Sequence, residues 1–269
     1  MNQPLEHYKI ILIGDACIDK THYGHVNRLS PEAPIPILDF KETIETGGMA
    51  TNVKNNLENL FDDNKCTFEI FSYTEYHEIK NRYVDIKTKQ QLLRLDERTE
   101  KVMVGGNWDN PAGLWGDLPE ADIMIIADYD KGTVSYDMIK KLRANFNGPI
   151  LLDTKKPDLA QFNGCILKIN DKEWNARISD PGRLSDSIIT YGGDKVVWQN
   201  VGFEHTFYPP KVETYDPCGC GDTFLAAVAY KYVQTKNMGI AIELGMDAAA
   251  ETIKHIGVYA PTWKEIMNG

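Results

Sequence analysis

Apolar residues recur along this chain with two periods. Short, mostly apolar runs stand at Lys9-Ile10-Ile11-Leu12-Ile13, Ile123 to Ala127, Pro149 to Leu152, Cys165 to Ile169, Ser187 to Thr190 and Val196 to Trp198. Runs of this length, bounded by Gly, Asp, Asn or Lys, predict parallel strands buried on both faces. Between and after them the spacing changes. Val53, Leu57 and Leu60, then Met138, Ile139 and Leu142, then Phe224, Val228 and Tyr232 with Leu225, Ala229 and Val233, fall three or four residues apart. That spacing predicts helices with one apolar face. A last helix is expected from Ile240 to Ile256, rich in alanine and other small residues. Strands alternating with helices predict an α/β fold with a mostly parallel central sheet and helices on both faces.

Two stretches break this rhythm. Pro31, Pro34 and Pro36 forbid a long helix between Tyr23 and Phe40, so an extended edge segment is expected there. Thr67 to Phe71 alternates like a strand, and Tyr83 to Arg94 has mixed polarity that suits further strands. The segments at about 21–46 and 67–104 are therefore expected to be β insertions forming a small lid on one domain that spans residues 1–269. There is no internal repeat, low-complexity tract or linker.

Composition narrows the class. A formal net charge of −10 argues against a nucleic-acid partner, although a local pocket of Lys, Arg and helix N-termini can still hold a small anion. No run is long and apolar enough to span a membrane, and the first nine residues are polar. Five cysteines, an odd number without disulfide-framework spacing, fit a reducing cytoplasm. Cys218 and Cys220 lack a second Cys/His pair at zinc-ligand spacing.

Candidate chemistry gathers where strands end, the usual place for ligands in such sheets. Tyr215 to Phe224 reads as a glycine turn entering a helix. Gly219 and Gly221 leave the first helical N–H groups open to an anion. Asp222 could be a base that takes a proton from an attacking hydroxyl, or the cap of the helix. Asp15 and Asp19 follow the first strand and could hold sugar hydroxyls, or serve turns and caps. Gly47 and Gly48 open a helix whose early residue Asn52 could both donate to and accept from a sugar. The stretch Lys89 to Asp96 carries Lys89 and Arg94, which could meet an anion or face water.

The residues Asp216-Pro217-Cys218-Gly219-Cys220-Gly221-Asp222-Thr223 resemble the C-terminal signature of the ribokinase-like (PfkB) sugar kinases, with Cys220 where alanine is usual. Gly14 to Asp19 resembles their sugar-binding start. Arg28 to Pro36, Gln90 to Asp96 and Asp128-Tyr129-Asp130-Lys131-Gly132 resemble the subgroup of bacterial heptose 7-phosphate kinases. The resemblance implies an ATP-dependent kinase acting on the anomeric hydroxyl of a heptose 7-phosphate, with a kinase for another sugar, or an inactive sugar- or nucleotide-binding protein, as alternatives. It implies Asp222 as base, with anion-hole N–H groups from Gly219, Cys220 and Gly221. The sugar falls to Asp15, Asp19, Gly47, Gly48 and Asn52, and its phosphate to cations among Arg28, Lys89, Arg94 and Lys131. Asn170 and Glu173 match the family's Asn-x-x-Glu, which organises Mg2+ and the ATP phosphates, through water at Glu173. Thr190, Gly192 and Gly193 match the nucleotide turn. A homodimer formed through the lid is also implied. The chain departs from the pattern in being short after Leu60 and after Glu173.

Overall fold

The computed structural model describes residues 6–61, 66–104 and 118–268, without the side chains of 101–104. Among the described residues ten strands form one sheet: β1 (Glu6–Leu29), β2 (Pro36–Met49), β3 (Cys66–Asp85), β4 (Gln91–Val104), β5 (Ile123–Asp128), β6 (Ile150–Thr154), β7 (Ile166–Asn170), β8 (Asp186–Thr190), β9 (Val196–Asn200) and β10 (Phe203–Phe207). Their order is β10-β9-β8-β7-β6-β5-β1-β3-β4, with β2 on β1. The described helices are α1 (Ala50–Leu60), α2 (Tyr136–Asn145), α3 (Asp171–Ala176), α4 (Cys220–Thr235), α5 (Met238–Thr252) and α6 (Trp263–Asn268).

Strands β3, β1, β5, β6, β7 and β8 run parallel, and the flanking pairs are antiparallel. Alternation along each central strand divides the core between its two faces. Ile10, Leu12, Ile123 and Ile125 pack with α1, α4 and α5, while Ile11, Ile13, Met124 and Ile126 pack with α2. The expected α/β architecture, mostly parallel and covered on both faces, is therefore what the chain adopts.

The lid is a continuation of this sheet. β1 pairs with β5 from Ile10 to Gly14, then from Ala16 onward gives the same edge to β2. Its other edge stays on β3 from Glu6 to Gly24. The first part of β3, Cys66 to Thr74, thus belongs to the core sheet, and only its distal half with β4 belongs to the lid. The apolar run at 9–13 gave no hint that β1 extends to 24 residues, because its distal half alternates too irregularly to stand out. Within the expected strand region 83–94, a turn intervenes: Lys89 N–H bonds to Asp85 O at 2.8 Å, with Lys89 in the left-handed region at φ 60°.

Candidate active site

Helix α4 begins where the sequence bends at Gly219, which has φ 79° and serves as its N-cap without a side-chain bond. A Cβ at Gly219 would also lie 2.8 Å from Asn52 Nδ2, so both conformation and space call for glycine. Asp222 is the third residue of the helix, not its cap. Cys220 N–H turns back to Pro217 O at 3.4 Å, a long bond. The remaining first-turn N–H groups lie where an anion would meet the positive end of the helix.

Asp222 is 5% exposed. One carboxylate oxygen accepts from Asn52 Nδ2 at 3.0 Å, and the other from the Tyr129 hydroxyl. Asn56, one turn along α1, donates to Asn52 Oδ1 at 3.0 Å and thereby fixes which way the Asn52 amide faces. Burial pushes the Asp222 carboxyl up to about 6, against the opposing effect of the Tyr129 and Asn52 hydrogen bonds. Burial also holds Tyr129 well above the ordinary tyrosine value, so it remains a donor. At neutral pH Asp222 is a buried, oriented and ionised carboxylate, the form needed to accept a proton.

Asp15 does not reach this pocket. It is fully buried, and its oxygens accept from the backbone N–H groups of Tyr129 (2.7 Å), Lys131 (3.2 Å) and Thr133 (3.2 Å). His77 closes the other side at 3.1 Å. The expectation that Asp15 holds sugar is therefore corrected: it shapes the loop that delivers Tyr129. Asp19, by contrast, sits beside Gly48, where any Cβ would strike its carboxylate and the Cys17 thiol. Its carboxylate is ion-paired with Arg82. Asn52, expected on sugar hydroxyls, donates instead to Asp222 and Gly219 O. Gly47 stands just before Gly48 at the end of β2, packed against Thr51.

The expected phosphate ligands separate. Arg28 is exposed. Arg94 pairs across the sheet with Arg82 but is held by Asp96 at 2.7 and 2.8 Å. Lys131 pairs with Glu78 at 3.1 Å. Lys89 lines a cavity of about 320 Å3 together with Arg82.

On the opposite side of α4's first turn lies an apolar cleft of about 190 Å3. It brings Thr190, Gly192 and Gly193 together with Cys220 and Gly221, beside Phe224 and Met246. Residues far apart in sequence thus share one wall, as a nucleotide requires. Asn170 and Glu173 form the capping box of α3, with Asn170 accepting from Glu173 N–H at 2.9 Å and Glu173 accepting from Asn170 N–H at 2.8 Å. Lys155 also pairs with Glu173. Among the described residues no three His, Cys, Asp or Glu side chains converge on a metal position. One engaged carboxylate fits a magnesium ion held mainly by water and phosphate oxygens, and does not fit a cage of protein ligands.

Lys168 completes the site and was missed from sequence. It stands in the apolar run of β7, yet its Nζ pairs with Asp153 at 2.6 Å, and a Cβ at Gly221 would lie 3.1 Å from it. Burial pulls this ammonium down, but Asp153 more than offsets it, so the cation persists under the helix entrance. A lysine inside an otherwise apolar strand was the available signal. Tyr129 and Arg82 had weaker signals, since each belongs to a stretch of mixed polarity.

Comparison with known proteins bears on the family and the fold. Residues 144–265 match the pfkB family carbohydrate kinases. The bifunctional protein HldE of Campylobacter fetus is 27% identical over 96% of this chain and 66% of its own length. That of Campylobacter jejuni is 28% identical over 97% of this chain and 64% of its own. The chain thus spans just under two thirds of these relatives. Ribokinase from Thermotoga maritima superposes with TM-score 0.70 at 16% identity, covering 97% of this chain and 98% of its own. Phosphofructokinase-2 from Escherichia coli, solved with substrates and products, gives 0.70 at 14%, covering 97% of each chain. The fold is ribokinase-like, and over residues 144–265 the chain is similar to the pfkB family of carbohydrate kinases.

Proposed function

We propose that this chain transfers the γ-phosphoryl group of ATP to the anomeric hydroxyl of a heptose 7-phosphate, giving a heptose 1,7-bisphosphate. The observation that carries the kinase reading is Asp222, buried and held by Asn52 and Tyr129, next in sequence to Gly221, which lines the apolar cleft. The heptose reading rests on the sequence stretches Arg28 to Pro36 and Gln90 to Asp96, and on the similarity to the HldE proteins.

Asp222 accepts the proton of the attacking hydroxyl. Asn52 and Tyr129 keep its oxygens aimed, so little reorganisation is needed when the substrate arrives. Lys168 and the first N–H groups of α4 lie where negative charge gathers on the transferring phosphoryl group, and such fixed groups supply most of the catalysis in this class of reaction. The cleft at Thr190, Gly192, Gly193 and Phe224 holds the nucleotide. Magnesium, when bound, offsets charge on the nucleotide phosphates, and Glu173 with Asn170 would hold it through water. The lid covers the sugar and supplies the surface of a homodimer. A reducing, cytoplasmic setting suits the five free thiols.

The test is an ATP- and magnesium-dependent assay offering heptose 7-phosphate, fructose 6-phosphate and ribose in parallel. Preference for the heptose phosphate is expected, and a preference for either of the others replaces the substrate assignment. Asp222→Asn is expected to lower kcat by at least about a thousandfold without unfolding the chain. Near-normal turnover in that variant would refute the base assignment.

A further inference from the structure

The 320 Å3 cavity on the lid side of α4 is separate from the nucleotide cleft. Its walls come from the distal part of β1 (Thr21), from β3 (Arg82), from the β3–β4 turn (Lys89), from β4 (Gln91), and from the segments before α4 (Asp216) and after α5 (Gly257). We propose that this cavity receives the phosphate ester of the acceptor sugar, with Arg82 and Lys89 as its cationic arms; the proposal rests on the sugar kinase reading above.

Three observations carry it. First, the strand register sets Thr21 beside Arg82, and both line the cavity together with Lys89. Lys89 reaches over the Tyr215 ring at 5.2 Å, and both line the cavity. Second, the acidic wall residue is already engaged. Asp216 accepts from Cys218 N–H and Gly257 N–H, both at 2.9 Å, so each of its oxygens is turned to a backbone donor, and the charge it keeps is faced by the two cations Arg82 and Lys89 on the same walls. Third, the cavity connects to the base through contacts. Arg82 pairs with Asp19 and approaches the Cys218 sulfur at 3.3 Å. Cys218 precedes Gly219, whose carbonyl accepts from Asn52, and Asn52 donates to Asp222. A sugar lying along Asp19 would place its hydroxyl at Asp222 and its far end in the cavity. Two cations of different reach suit a phosphate monoester, which carries close to two negative charges and three acceptor oxygens.

Calorimetric titration with heptose 7-phosphate and with the unphosphorylated heptose tests this directly, because it reads binding without turnover. Wild-type protein should bind the phosphate ester at least about tenfold more tightly than the parent sugar. Lys89→Met and Arg82→Lys should each remove most of that preference. Lys87→Met, in the same turn but outside the cavity, should keep it. The subsite is overturned if wild type shows no preference for the ester, if the cavity variants retain it, or if Lys87→Met loses it equally. Melting temperatures within a few degrees of wild type certify the folds. The parallel ATP assay reports separately on the kinase reading: phosphorylation of a sugar by a protein indifferent to the ester leaves that reading intact while the subsite falls.

Discussion

At Asp222, burial and hydrogen bonding pull in opposite directions, and this makes pH the sharpest probe. Its carboxyl stands at about 6 because burial outweighs the donors Tyr129 and Asn52. Activity that needs the ionised form should rise with pH through about 6. Removing a donor to the charged form raises the pKa further, so Tyr129→Phe should shift the acidic limb of the kcat/KM profile to higher pH. A limb that stays in place would show that Tyr129 does not tune the base. The same shift has a stability consequence. The unfolded carboxyl releases its proton near 3.8, whereas the folded one holds it to about 6. Between those values the folded state carries more protons, so stability falls as pH rises, by on the order of 3 kcal/mol in total. Asp222→Asn removes this burden and should melt higher than wild type at pH 8, as differential scanning calorimetry would read, while losing activity.

Elements meet in this structure through positions where one side chain would be too many. Gly14 stands where β1 leaves β5 for β2, and any Cβ there would strike Ala127 O. Gly245 lets α5 close on α4, where a Cβ would lie 2.8 Å from Val228 and 3.0 Å from the Phe224 ring. Gly245→Val should destabilise by about 1–3 kcal/mol through overpacking, and should weaken ATP binding because Phe224 lines the cleft proposed for the nucleotide. Chemical denaturation with nucleotide titration measures both. Between β6 and β7, Lys168→Met would leave Asp153 buried and uncompensated, at a cost of about 3–5 kcal/mol. Asp153→Asn in the same chain should restore much of that stability but not the turnover, if Lys168 acts on the phosphoryl group. Recovery of turnover in the double variant would make Lys168 purely structural.

For the whole molecule, the lid poses the largest question of partners. Leu93, Leu95 and Phe40 are 56%, 45% and 57% exposed on lid strands, and His22 stacks on Tyr83 in the row that leads to Leu93. An apolar surface of this kind suits a second copy of the chain. Sedimentation should show a dimer for wild type and a monomer for Leu93→Glu with Phe40→Glu. A wild-type monomer at micromolar concentration would remove the dimer proposal. Legibility also varied with scale. The central strands and α4 were plain from apolar period, because burial on both faces leaves short, mostly apolar runs. The lid was harder to read, since strands solvated on one side carry mixed residues and β1 crosses from core to lid without a break.

Local chemistry in the sequence determined the strand–helix alternation, the glycine bend before α4 and the placement of Asp222 at a helix entrance, because those depend on residues close along the chain. The reading of Thr190, Gly192 and Gly193 as a nucleotide turn came from a resemblance, and only packing set them beside Cys220 and Gly221 in one cleft. Only tertiary structure decided that Asp15 serves a loop and Asp19 faces Arg82, that Tyr129 and Asn52 both grip Asp222, and that Lys168 reaches beneath Gly221. Those partners lie tens of residues apart or more. A side chain's role there is set by which groups burial forces it to satisfy, and no local pattern encodes that choice.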